Sequence, residues 1–237
     1  AIPNGAQSYE TFNYSLRTPA SGSSFGFGGS ALKLSGGTLL YKGTASSTTT
    51  ITNLTLNGGT AQHAGAGTWT LAGSVAVTTN GGTINAVNGA NTLTASLAGG
   101  GPLEFLGNPT TLAGNNSAFS GKWSIGNGAP GSLAISSPAQ LGAVPATYAS
   151  NHVTLNRGTL LTTTTMTLSD ATRGILLERG GGTFNVAAGT TLTLGNFSTP
   201  NITASLVGGA LLKAGGGTLI LSNTITTFRG ALYVDTS

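Results

Sequence analysis

Leu54-Thr55-Leu56-Asn57-Gly58-Gly59-Thr60 joins two signals in seven residues: an alternating apolar and Thr strand, and a Gly-Gly-Thr corner. Gly-Gly-Thr also occurs at Gly36-Gly37-Thr38 and Gly81-Gly82-Thr83, so the three corners follow one another at a nearly constant step. It returns at Gly181-Gly182-Thr183 and Gly216-Gly217-Thr218, with a variant at Arg157-Gly158-Thr159. A period in the low twenties with short strands and Gly corners matches one turn of a β-solenoid. Gly reaches the positive φ that sharp corners need. Inward Leu, Ile, Val and Phe stack between coils, and outward Thr favours extended backbone while its hydroxyl meets water. The expected fold is therefore an all-β, right-handed parallel β-helix with coils of about 22 residues. About ten such coils at ~4.8 Å give a rod of roughly 50 Å. A β-sandwich competes, since regularly spaced short strands with turns between them also suit one, but the fixed period favours the solenoid.

Helix is disfavoured throughout. Gly interrupts nearly every window and costs about 1 kcal/mol relative to Ala in a helix. Segments such as Thr68-Trp69-Thr70-Leu71 and Thr190-Thr191-Leu192-Thr193-Leu194 alternate as strands do. Only Ser137 to Tyr148, with Pro138 and Pro145, breaks the rhythm and reads as a loop or one short helical turn.

A larger duplication overlies the coils. Leu54–Thr60 resembles Val153-Thr154-Leu155-Asn156-Arg157-Gly158-Thr159 at an offset of 99, and Gly81–Asn85 resembles Gly181–Asn185 at 100. Thr94–Leu97 recurs at Thr203–Leu206, and Ala118–Gly121 at Thr227–Gly230, both at 109. The change in offset places about nine inserted residues near Thr190 to Thr199, the kind of loop solenoids tolerate. Residues 1–30 read as an N-terminal segment serving as a cap or exchanged strand. Residues 31–237 read as one β-helix domain, duplicated over about 51–125 and 152–234.

Composition narrows the function. The 237 residues include 39 Gly and no Cys, and 6% are charged, against about 25% in average soluble proteins. Disulfides and thiolate metal sites are excluded. Nine bases against five acids give a net charge of +4, but the bases are scattered, unlike the stripe nucleic acid requires. No run reaches the ~18 apolar residues of a membrane helix. Ala1-Ile2-Pro3-Asn4-Gly5 reads as a mature end left by signal cleavage.

The C-terminal stretch Leu211-Leu212-Lys213-Ala214-Gly215-Gly216-Gly217-Thr218-Leu219-Ile220-Leu221-Ser222-Asn223-Thr224, closing through Phe228-Arg229-Gly230 to Leu232-Tyr233-Val234, resembles the autotransporter-associated β-strand repeat. A degraded copy lies at Pro102 to Ile125. The resemblance implies a right-handed β-helix in a bacterial secreted or cell-surface protein. No membrane-barrel domain follows, and another Gly-Thr-Leu is missing after the last strand. The chain thus reads as a fragment or as a solenoid whose last coil is completed by something else.

Candidate chemistry is sparse. Asp170, Arg173, Glu178 and Arg179 form the only charged cluster in the sequence, a candidate polar patch for glycan binding or cleavage, or a solvated loop. His63 and His152 lack metal or nucleophile spacing. Trp69, Trp123, Tyr41 and Tyr148 suit core packing better than sugar stacking. No catalytic or metal residue and no cofactor is assigned, and the chain is not read as an enzyme. The leading expectation is an extracellular structural or adhesive solenoid that associates with itself end to end into fibres. Ile2, Tyr9, Phe12 and Tyr14 at one end, and Leu232, Tyr233 and Val234 at the other, are the candidate self-association residues. Alternatives are a carbohydrate-binding or polysaccharide-cleaving β-helix, and a passive stalk from a longer passenger. Expected partners are copies of the chain, glycans or a cell surface, with no nucleic acid and no membrane span.

Overall fold

A computed structural model describes residues 7–10, 13–16, 24–26, 31–43, 46–194, 202–204, 209–222, 228 and 230–235. Its strands form parallel sheets of fourteen, nine and three strands, coiled as a β-solenoid whose turns are spaced about 22 residues apart. Eleven strands, from Gln7–Glu10 to Leu232–Val234, follow one another in register along the larger sheet. Those ten steps at ~4.8 Å give a rod of about 48 Å.

Stacking follows the repeat. Thr38 pairs with Thr60 and Thr60 with Thr83, so three Gly-Gly-Thr corners lie directly over one another. Inside the nine-stranded sheet an apolar ladder runs Leu39, Ala61, Ile84, Phe105, Ile125, Leu155, Leu177, each the register partner of the next. All seven are buried. Burying one such large side chain contributes about 1.5–3 kcal/mol, and a single position repeated seven times makes the alternation decisive. Tyr41 stacks on Trp69 with ring centroids 5.6 Å apart, and Phe105 on Trp123 at 5.8 Å. Both indoles are internal; Trp69 Nε1 donates to Thr49 Oγ1 and Trp123 Nε1 to the Leu141 carbonyl.

The Gly-Gly-Thr copies do not all share one corner. Arg157-Gly158-Thr159 stacks on Gly181-Gly182-Thr183, but in the fourteen-stranded sheet. Gly216-Gly217-Thr218 leads into the three-stranded sheet, where Thr218 pairs with Thr191. The duplication explains this shift. From Gly59 the stack passes through Gly82, Leu103 and Trp123 to Val153, four coils on. Gly158, the copy of Gly59 at offset 99, begins the next strand after that. The second copy is therefore advanced by four coils and one face. Local bonding survives the change of face: Gly58 N donates to Gly81 O at 2.7 Å, and Arg157 N to Gly181 O at 2.9 Å.

The irregular segment lies between Trp123 and Val153, register partners in adjacent coils joined by a longer stretch of chain than the usual turn. Within it Pro138–Leu141 forms one turn of 3-10 helix, with Ser137 and Gln140 in a capping box and Pro at its start. The other long coil separates Gly182 from its partner Leu211. Thr191–Leu194 there is a strand of the three-stranded sheet. Residues 195–201, the rest of the stretch where the change in offset placed the insertion, lie outside the described residues. Gln7–Glu10 and Asn13–Leu16 pair in parallel with Leu32–Ser35 and Thr38–Tyr41.

Candidate functional site

The four charged residues singled out in the sequence are not one patch. Arg173 opens the strand Arg173–Leu177, and its side chain is only 3% exposed. Its Nε donates to Asp170 Oδ2 at 3.0 Å, Nη1 to the Leu141 carbonyl at 2.7 Å, and Nη2 to the Gly142 carbonyl at 3.1 Å. The planar fork thus ties the corner after the 3-10 turn to the coil beneath it. Gln140 Nε2 adds a bond to Leu112 O, and Asn116 Nδ2 one to Gln140 O, both 2.7 Å. Glu178 and Arg179 sit at the far end of the same strand, Glu178 half-buried and Arg179 exposed.

His152 is buried beside this clamp, its Nδ1 3.5 Å from Arg173 Nη1. Burial first, and then the neighbouring charges of Arg173 and Lys122, hold its pKa down at about 4, with Asp170 opposing. His63, packed against Tyr41 and Trp69 and bonded through Nδ1 to Asn91 Oδ1 at 3.0 Å, is lowered chiefly by burial. Neither sequence position hinted at this, because the partners lie 21 and 28 residues away.

A pH dependence follows. Above pH 6.5 His152 is neutral folded and unfolded, and its site contributes full stability. Between 6.5 and about 4 the unfolded chain binds a proton that the native site refuses. Stability is therefore lost as pH falls through that window. We expect the urea midpoint to drop across it and His152→Gln to make the drop shallower, leaving the share due to His63. An unchanged slope in the variant shows that the imidazole is not held neutral by the fold.

Glu178 instead faces a groove on the outward side of the nine-stranded sheet. Two hollows of about 310 and 280 Å³ share Pro102, Ser124 and Asn127 and so run together. Thr83, Glu104, Ser124 and Thr154 are successive register partners along its floor. Glu104 Oε2 accepts a bond from Thr83 Oγ1 at 3.0 Å. The groove was hidden in the sequence because its residues are spaced by whole coils. The one available signal is the recurrence of Asn at 80, 127, 151 and 156 near strand ends.

Of the candidate self-association residues, Leu232, Tyr233 and Val234 form a strand paired with Leu211, Leu212 and Lys213. They are 54%, 58% and 66% exposed. Tyr9 and Tyr14 pair through their backbones with Leu34 and Leu39. Ile2 and Phe12 lie outside the described residues. Tyr148 is exposed, whereas Tyr41, Trp69 and Trp123 are core. Among the described residues no three His, Cys, Asp or Glu side chains group to hold a metal, and no helix is long and apolar enough to cross a membrane. Comparison with known proteins adds no relative: no family model, no curated protein and no solved structure matches the chain.

Proposed function

We propose that this chain is an extracellular structural or adhesive β-solenoid that associates through the strand Leu232–Val234. The observation that carries the reading is the exposed apolar edge there. The strand is paired along one side, with Leu211–Lys213, and its three side chains are more than half exposed. A strand edge with free backbone donors and acceptors recruits another strand in register. Gln7–Glu10 and Asn13–Leu16 already pair in parallel with the coil that follows them, so the opposite end of a second copy offers a strand of matching direction. Contacts between unlike ends do not close on themselves and build fibres. The 6% content of charged residues keeps like-charge repulsion between stacked rods small. The resemblance to autotransporter-associated repeats supports a bacterial cell-surface setting. In a longer passenger the same edge accepts the next coil of the same chain.

Sedimentation velocity and negative-stain electron microscopy test the association. The expected result is a concentration-dependent series of end-to-end oligomers. Leu232→Lys with Val234→Lys should reduce it to monomer, because two cations on an edge oppose strand addition. A wild-type chain that stays monomeric at every concentration overturns the reading.

A further inference from the structure

The geometry points to a second binding function, independent of end-to-end association: the groove across the nine-stranded sheet takes a linear, uncharged polysaccharide lying along the rod. The groove crosses six coils, marked by Gly58, Asn80, Pro102, Asn127, Asn156 and Glu178. Five steps at ~4.8 Å give a length of about 24 Å, which suits an extended polymer rather than a compact small molecule.

Its floor is made of short polar side chains, Thr83, Ser124 and Thr154, with Glu104 among them, all half-buried. Position in the parallel strands sets its two banks. Pro102 and Lys122 precede their strands, while Asn127, Asn156 and Glu178 follow theirs. The sheet beneath is paired coil to coil on both sides, so its backbone has no free ladder for a peptide strand. Recognition must come from side-chain hydroxyls, amides and carboxylates. Each of these meets a sugar hydroxyl, which both donates and accepts. Part of the lining is already oriented: Asn156 Oδ1 accepts from Gly180 N at 3.1 Å, which fixes the side chain with its amide N–H groups turned away from that bond, and Asn80 Nδ2 is held by Asn57 Oδ1 at 2.9 Å. Pre-set partners lower the ordering cost of binding.

Charge selects within the class. Glu104 and Glu178 outnumber Lys122 among the lining side chains. A polyuronate would bring carboxylates against two fixed carboxylates, and like charges oppose binding. Neutral chains meet no such penalty.

Titration calorimetry with cellohexaose, xylohexaose and chitohexaose, and with hexagalacturonate as the charged counterpart, tests this. At least one neutral hexasaccharide should bind with Kd of about 1 mM or tighter, and hexagalacturonate at least about ten-fold more weakly. Ser124→Tyr fills the floor from an outward strand position where an aromatic side chain is well tolerated. It should cut binding at least about ten-fold with the circular dichroism spectrum unchanged. Asn127→Ala with Asn151→Ala, both outside the core, should weaken binding in the same direction. Failure of the wild-type chain to bind any of the three neutral probes overturns the inference. So does preference for hexagalacturonate, or unchanged affinity in both variants.

Discussion

Gly158→Val is expected to abolish folding, while Arg157→Gly, one residue earlier, shifts stability by no more than about 1 kcal/mol. The two positions of the corner do different work. The first needs a left-handed backbone: φ is +77° at Gly58, +76° at Gly81, +74° at Gly181 and +61° at Arg157. Where the neighbouring coil leaves room, as at Arg157, a side chain is tolerated there at a cost of about 1–2 kcal/mol, whereas a Cβ at Gly81 would lie 2.7 Å from the Pro102 carbonyl oxygen. At Gly58 a Cβ would meet nothing closer than 3.9 Å. Replacing Arg157 by Gly removes that strain but raises the entropy of the unfolded chain, so the effects nearly cancel. The second position needs empty space. A Cβ at Gly158 would lie 1.9 Å from the Ile125 carbonyl oxygen, and at Gly59 2.4 Å from Leu34 Cβ. Neither neighbour can rotate away, so adjacent coils must part. The cost is set at more than about 4 kcal/mol, a large share of typical domain stability. Soluble yield and urea unfolding of the two variants check the contrast. A folded Gly158→Val within about 1 kcal/mol of wild type refutes the close coil contact.

Arg173→Met should cost about 1–3 kcal/mol, because a buried guanidinium leaves behind a carbonyl without its donor and a part-exposed carboxylate without its cation. Asp170 loses the guanidinium and the Gly142 carbonyl loses its donor, whereas the Leu141 carbonyl keeps Trp123 Nε1. Arg173→Lys should recover little, since an ammonium cannot reach three acceptors in the geometry of a fork. Asp170→Asn should be milder, because Asp170 is 32% exposed and water replaces part of the lost interaction. Urea midpoints rank the three variants. Limited proteolysis of Arg173→Met should cut first within 142–148, the segment the guanidinium pins. Equal midpoints for Arg173→Met and wild type refute the clamp.

The same residues show how much was legible beforehand. Alternation in Thr68 to Leu71 or Thr191 to Leu194 reports strands directly, because a period of two maps onto inside and outside. The corners were legible because their backbone restricts residue choice, so Gly-Gly-Thr survives where the strands drift. An offset of 99 looked like a simple doubling. Only the register shows that it carries each strand onto the neighbouring face, since four coils reach Val153 and the copied corner lies one strand beyond. Arg173 was visible as a charge beside Asp170 and Glu178, but its principal partners are backbone carbonyls 31 and 32 residues away. Carbonyls have no signature in a sequence. The groove escaped for the same reason, as Thr83, Glu104, Ser124 and Thr154 become a row only when the coils are stacked.

Parallel stacking also gives the rod an unusual mechanical reserve. Each turn advances the axis by only ~4.8 Å while storing about 22 residues, which drawn out straight span about 75 Å. Nearly every ladder bond joins one turn to the next, so tension along the axis peels turns singly, as thread leaves a spool. Releasing one turn therefore yields more length than the folded rod's own ~48 Å. A rod built this way dissipates a sudden pull in discrete steps, with most of its turns still folded.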